Sequence, residues 1–189
     1  MTNQISDNVL IERIIAGDKS LFGIIIERHK DYAFTLALRV LNNREDAEEV
    51  AHDAFLKALR SLSSFKMESK FTTWFYKIVV NVAISRRRKK RIDTQEIEVN
   101  NTQHYSTFDD LGGMPLADKK FFINKAIESL KDEERVLITL FYFDEMDMEE
   151  ISNITGVDKN NLKVKMFRAR KKLAGLLSGM LKDEIHSLL

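Results

Sequence analysis

The sequence predicts an all-α protein made of two small helical domains. Apolar residues recur every three to four positions along most of the chain, and 189 residues contain only seven glycines and one proline, few breakers for so long a chain. The stretch from Ile92 to Asp118 breaks that periodicity, holds Gly112, Gly113 and Pro115, and carries six acids without a single Lys or Arg. It reads as a flexible acidic linker, which divides the chain into residues 1–91, 92–118 and 119–189.

Each element has its own signal. The first helix runs near Asp7 to Ala16 and ends at Gly17. The second spans about Lys19 to Leu41, where Asn42-Asn43 breaks it and caps a third helix whose first turn carries Glu45 and Asp46, as the helix dipole favours. The third continues to about Leu62. Ser63 to Ser69, polar apart from Phe65 and Met67, reads as a loop, and a fourth helix begins near Lys70 and enters the run RRRKKR, Arg86 to Arg91. The inward stripes include Ile14, Phe22, Ile26, Phe34, Leu38, Val50, Ala54, Phe55, Leu59, Phe71, Phe75, Ile78 and Val82, enough for a four-helix core. Beyond the linker, Phe121 to Leu130 and Glu133 to Phe143 are apolar-periodic, and Asp132-Glu133-Glu134 resembles a helix N-terminus.

Composition excludes several classes. With 44% apolar and 31% charged residues the profile is globular. The absence of cysteine rules out disulfides and thiolate metal sites in this chain. No apolar run approaches the ~20 residues of a membrane span, and MTNQISDN lacks the segments of a signal peptide. A cytoplasmic protein without membrane insertion is expected. The net charge of +1 conceals segregation, since the unbroken basic run directly precedes the acidic linker.

The segment MEEISNITGVDKNNLKVKMFRARKKL, Met148 to Leu173, reads as an acidic helix, a glycine turn and a basic helix. Met148, Ile151 and Ile154 form the first stripe, Gly156 suits a positive-φ turn, and Asp158 is placed to cap the basic helix. In that second helix Leu162, Met166, Ala169 and Leu173 form the buried stripe. At about 100° per residue the opposite face carries Asn160, Asn161, Lys163, Val164, Phe167, Arg168 and Lys171. A basic face on a short helix is more often a solvated surface than a nucleic-acid site, but the glycine turn and the order of the two helices favour a helix-turn-helix. Amides and cations would then meet base edges and phosphates, and Val164 and Phe167 are able to touch thymine methyls.

The fourth helix, FTTWFYKIVVNVAISRRRKKR, interleaves aromatics with cations. By the same angular count Thr73, Tyr76, Lys77, Val80, Arg87 and Arg88 point outward, with Trp74 and Asn81 at the border. Exposed rings beside cations suit unstacked bases and a phosphate backbone. The basic run could equally be a localisation signal or a general polyanion patch. On the third helix Asp46, Glu49, Asp53 and Lys57 form the outer face. Glu49-x-x-His52 is one half of a di-metal motif, but no second copy occurs. No phosphate loop or nucleophile elbow appears either, so no catalytic residue, metal or other cofactor is expected.

Taken together these segments resemble the group IV, or extracytoplasmic-function, sigma factors of bacterial RNA polymerase, from Leu10 to Leu177. In the first half the resemblance rests on IIAGDKSLFGIIIERHKDYAFTLALRVLNNREDAEEVAHDAFLKAL and on the helix FTTWFYKIVVNVAISRRRKKR. In the second half it rests on EERVLITLFYFDEMDMEEISNITGV and LKVKMFRARKKL. It implies a sigma-2-type bundle and a sigma-4-type helix-turn-helix domain in a non-enzymatic initiation subunit. Asp46, Glu49, Asp53 and Lys57 would dock on the beta-prime clamp of core polymerase, with the beta flap a further contact. Trp74, Tyr76, Lys77, Asn81, Arg86, Arg87, Arg88 and Lys89 would melt the −10 element and hold its single strand. Asn160, Asn161, Lys163, Val164, Lys165, Phe167, Arg168 and Arg170 would meet the −35 duplex, and an anti-sigma factor would regulate the protein. The family commonly has Gly-Thr at Asn160-Asn161 and small or polar residues at Val164 and Phe167, so its usual −35 preference does not carry over. A stand-alone helix-turn-helix regulator and a sigma-like decoy for an anti-sigma protein are the competing readings.

Overall fold

The computed structural model describes residues 5–94 and 116–187, with side chains described for 5–90 and 118–181. Its described residues are helical with no strand. In order these are α1 (Asp7–Ile15), a short turn of helix (Lys19–Leu21), α2 (Phe22–Leu41), α3 (Arg44–Ser61), a second such turn (Leu62–Ser64), α4 (Phe71–Thr94), α5 (Leu116–Glu128), α6 (Asp132–Ile138), a π turn (Thr139–Phe143), α7 (Met148–Thr155) and α8 (Lys159–Ser187). They fall into two compact units, Met1–Thr94 with Glu149–Gly156, and Gln95–Met148 with Val157–Leu189. Most of the expected linker lies outside the described residues; α4 extends through Thr94 and α5 already begins at Leu116.

Helix boundaries follow local chemistry. Gly17 takes φ 121° just after α1. Asn42 adopts the left-handed conformation at φ 51°, while the side chain of Asn43 accepts the Asp46 N–H at 2.9 Å. One asparagine therefore ends α2 and the next starts α3, which turns the chain back on itself in two residues.

In the first unit α2, α3 and α4 pack mutually and α1 closes against α2. The centre is aromatic. Phe71 stacks on Phe75 at 5.6 Å, Phe75 lies 4.6 Å from Phe55, and His29 sits 5.7 Å from Phe71 while its Nε2 meets the Asp7 carboxylate at 2.8 Å. Several expected core positions shift by one residue. Ile26 and Leu59 are both 37% exposed, and Ile25 and Ala58 are buried instead. Phe34 and Leu38 are half-buried. On α4 the buried row is Phe71, Phe75, Val79 and Ala83, with Val80 also buried, whereas Ile78 and Val82 are only half-buried. Val80, expected to point outward, is enclosed because α4 packs against two helices and its buried arc is wider than a single stripe.

In the second unit α8 packs along both α5 and α6. Phe122, Ala126, Leu177 and Leu181 form one apolar cluster, joined at its edge by Leu173 and Met180. Leu162, Met166 and Ala169 are fully buried, as their spacing predicts. At the start of α6 the Lys131 N–H donates to the Glu134 carboxylate at 3.0 Å. The helix expected over Glu133 to Phe143 stops at Ile138, and the π turn replaces its second half.

Candidate nucleic-acid interface

The basic run at the end of α4 divides around the helix. Arg86 and Lys90, four residues apart, share the face that meets α3. Arg86 reaches the Asp46 carboxylate at 3.1 Å and grips Glu49 through two bonds of 2.9 and 2.5 Å; Lys90 reaches Asp46 at 2.7 Å. Asp46 is buried, 8% exposed, so it does not lie on the outer face of α3 where the sequence placed it. The Lys90 ammonium, and after it the Arg86 guanidinium, hold the Asp46 carboxyl below the usual carboxylate range although burial acts in the opposite direction. Arg86 is in turn pushed above its ordinary value, chiefly by Asp46 and then by Glu49. Arg87 donates to the Val40 carbonyl at 3.2 Å, one of the carbonyls that the end of α2 leaves without a helical partner.

The remaining cations of the run face away from the bundle. Lys77, Asn81, Arg88 and Lys89 are exposed, and at about 100° per residue Lys70, Trp74, Lys77, Asn81, Ser85 and Arg88 lie along one stripe of the helix. Trp74 is half-buried at its upper end, its ring 5.2 Å from Phe65 and 5.9 Å from Phe71. Tyr76 is half-buried and its ring lies 4.3 Å from that of Tyr32. Each ring is held by its own aromatic neighbours; Trp74 lies on the stripe with Lys77, Asn81 and Arg88, whereas Tyr76, two residues further on, faces about 200° away from it. On α3, Glu49, Asp53 and Lys57 are exposed, as expected for an outer face.

Helix α8 divides its cations similarly. Lys165 pairs with Glu133 at 2.8 Å and Lys172 with Glu134 at 2.9 Å, seven residues apart and thus on one side of the helix. Lys165, expected at DNA, is turned toward α6. Sequence reasoning missed Lys90, Glu133, Glu134 and Lys172 as the partners that orient these helices. The seven-residue spacing of Lys165 and Lys172 was visible, but not which element it would meet. Asn160, Asn161, Lys163, Val164, Phe167, Arg168 and Arg170 are all exposed. Upstream of them Gly156 takes φ 72° and the Asp158 side chain accepts the Asn160 N–H at 2.9 Å, the turn and cap anticipated for the start of this helix.

A tryptophan beside exposed cations on one helical bundle, followed by a capped basic helix in a second unit, suits nucleic-acid binding. Comparison with known proteins gives the family. Residues 25–92 match Sigma-70 region 2 and residues 123–173 match Sigma-70, region 4. The chain is 31% identical over 172 residues to the ECF RNA polymerase sigma factor SigW of Bacillus subtilis (86% of this chain, 92% of SigW). It is also 31% identical over 180 residues to the ECF RNA polymerase sigma-E factor of Escherichia coli K12 (90% of this chain, 94% of that protein). The fold is similar to that of CnrH in complex with the cytosolic domain of CnrY (TM-score 0.63, 22% identity, 92% of this chain and 97% of that one). It is likewise similar to sigma factor RpoE of Bartonella quintana in complex with the anti-sigma factor NepR (TM-score 0.60, 23% identity, 83% and 96%). The chain belongs to the ECF RNA polymerase sigma factors. It is an alternative sigma factor that directs core RNA polymerase to promoter DNA, and it is not an enzyme.

Proposed function

We propose that the two units divide promoter recognition, the first holding the single-stranded −10 element on α4 and the second reading the −35 duplex with α8. The split of the basic run carries this reading. Arg86 and Lys90 tie α4 to α3, and the same helix presents Trp74, Lys77, Asn81 and Arg88 as a stripe of ring, amide and cations suited to bases and phosphates, with Lys89 and Tyr76 on the faces to either side of it. Arg86 and Arg87 then act by positioning α4, and Lys165 by seating α8. Glu49, Asp53 and Lys57 dock on the beta-prime clamp, with Asp46 supporting them from beneath, and the second unit engages the beta flap.

Residues 1–91 and 119–189 form the two functional domains. The acidic stretch 92–118 acts as a displaceable nucleic-acid mimic in the polymerase channel. CnrH and RpoE of Bartonella quintana are each seen with a second protein, for RpoE an anti-sigma factor; an anti-sigma partner is assigned to this chain on that likeness. No described helix is long and apolar enough to cross a membrane, and the site of action is the cytoplasm, with polymerase.

Run-off transcription with purified core polymerase tests the scheme. RNA that starts at defined sites only when this chain is present supports it. Binding to core polymerase without start-site-specific RNA would favour a decoy, and duplex binding by a dimer that ignores polymerase would favour a stand-alone regulator.

A further inference from the structure

The exposed face of α8 has an unusual centre. Val164 is 49% and Phe167 63% exposed, three residues apart and hence adjacent on the helix surface. Taking Asn160 as zero and about 100° per residue, Val164 and Phe167 fall within some 40° of the midline. Asn160 and Lys171 share the midline at either end of the pair, Lys163 and Arg170 lie on one flank, and Asn161 and Arg168 on the other. The apolar pair therefore sits between two cationic edges. A helix so arranged is oriented by its edges in the major groove, because phosphates line both walls and cations on each flank meet them at once. The midline then faces the groove floor. The floor offers donors, acceptors and one apolar group, the C5 methyl of thymine.

We propose that Val164 and Phe167 are specificity-determining residues that read thymine methyls in the upstream promoter element, while Lys163, Arg168 and Arg170 hold the phosphates on either side. The proposal rests on the reading of α8 as the −35 helix and names what that helix selects. It also makes phosphate, not a base edge, the partner of Arg168. Thymines on neighbouring base pairs suit the pair best, since side chains three apart on a helix rise only about 4.5 Å along its axis.

The test uses holoenzyme formed from the full chain and a promoter mapped by run-off transcription. Each upstream thymine is replaced singly by deoxyuridine, which removes the methyl and leaves every hydrogen-bonding group. One or two positions should weaken holoenzyme binding about fourfold, the worth of one buried methyl. In Phe167→Ala or Val164→Ala holoenzyme the same replacement should have no further effect. Both side chains are exposed, so circular dichroism of the variants should match the parent. If deoxyuridine changes nothing while Lys163→Ala or Arg168→Ala still weakens binding, methyl reading is overturned and duplex binding by α8 survives. If none of these substitutions matters, the assignment of α8 to the upstream duplex fails with it. Loss of affinity for core polymerase in Phe167→Ala, without promoter DNA, would make the pair a protein contact and likewise overturn the proposal.

Discussion

Arg86 carries the same charge as its neighbours in the basic run, yet its guanidinium is used inside the protein. Within RRRKKR the sequence shows only that six cations are consecutive; a helix fans consecutive residues about 100° apart, so they cannot all face one ligand. Which of them turn inward was decided by Asp46 and Glu49, forty and thirty-seven residues away, and local pattern carries no such information. Removing the side chain in Arg86→Ala leaves Asp46 with Lys90 alone. Because Arg86 is itself about a third exposed, solvent screens the loss, and about 1 kcal/mol of destabilisation is expected. Asp46 gives a sharper test through pH. Its carboxyl is held below the ordinary range, so its stabilising contribution is complete above about pH 4 and is lost as the pH falls through that value toward the folded one. Asp46→Asn should therefore melt below the parent at pH 7, with the difference shrinking as the solution is acidified past pH ~4. A difference that stays constant on acidification would show that the contact is not ionic.

At the scale of elements, helix α4 is where the sequence was most nearly read and where it erred in register. Its existence, length, first two inward aromatics and outward Lys77 follow from spacing alone. The apolar row beyond Phe75 does not, because Ile78, Val79, Val80, Val82 and Ala83 are all apolar and several stripes fit equally. Packing against both α2 and α3 selects Val79, Val80 and Ala83. Val80→Ala is thus expected to cost about 2 kcal/mol and Val82→Ala distinctly less; thermal melting should rank them so, and the reverse order would restore the sequence-derived face. The same helix carries the only tryptophan of the chain, which makes its fluorescence a reporter from the cationic stripe itself. Addition of a single-stranded −10 oligonucleotide to holoenzyme should change the signal that distinguishes wild type from Trp74→Phe. An unaltered difference at saturating oligonucleotide would remove Trp74 from the strand path.

For the molecule as a whole, a net charge of +1 gave no hint of DNA, and beside the acidic stretch 92–118 part of the reason lies in how both units use acids. Each basic helix is seated by an acidic pair, Asp46 and Glu49 for α4, Glu133 and Glu134 for α8. Those acids cancel in the total the cations they position, while the outward cations remain for phosphate. The order of the two basic helices was legible because each ends a recognisable segment; the pairing that seats each was not, since it joins residues more than thirty positions apart. The two roles separate in the salt dependence of promoter binding. Each phosphate contact contributes about 0.9 to the slope of log affinity against log salt on duplex and about 0.7 on single strand. Replacing Lys163, Arg168 and Arg170 by Ala should flatten the slope for holoenzyme by roughly 2 to 3, and replacing Lys77, Arg88 and Lys89 by roughly 2. Arg86→Ala is the control, because a positioning residue changes how well the helix is held and not how many phosphates it neutralises. It should weaken binding at every salt concentration and leave the slope as it was, and a slope that flattened by the same amount per charge as the outward cations would return Arg86 to the DNA.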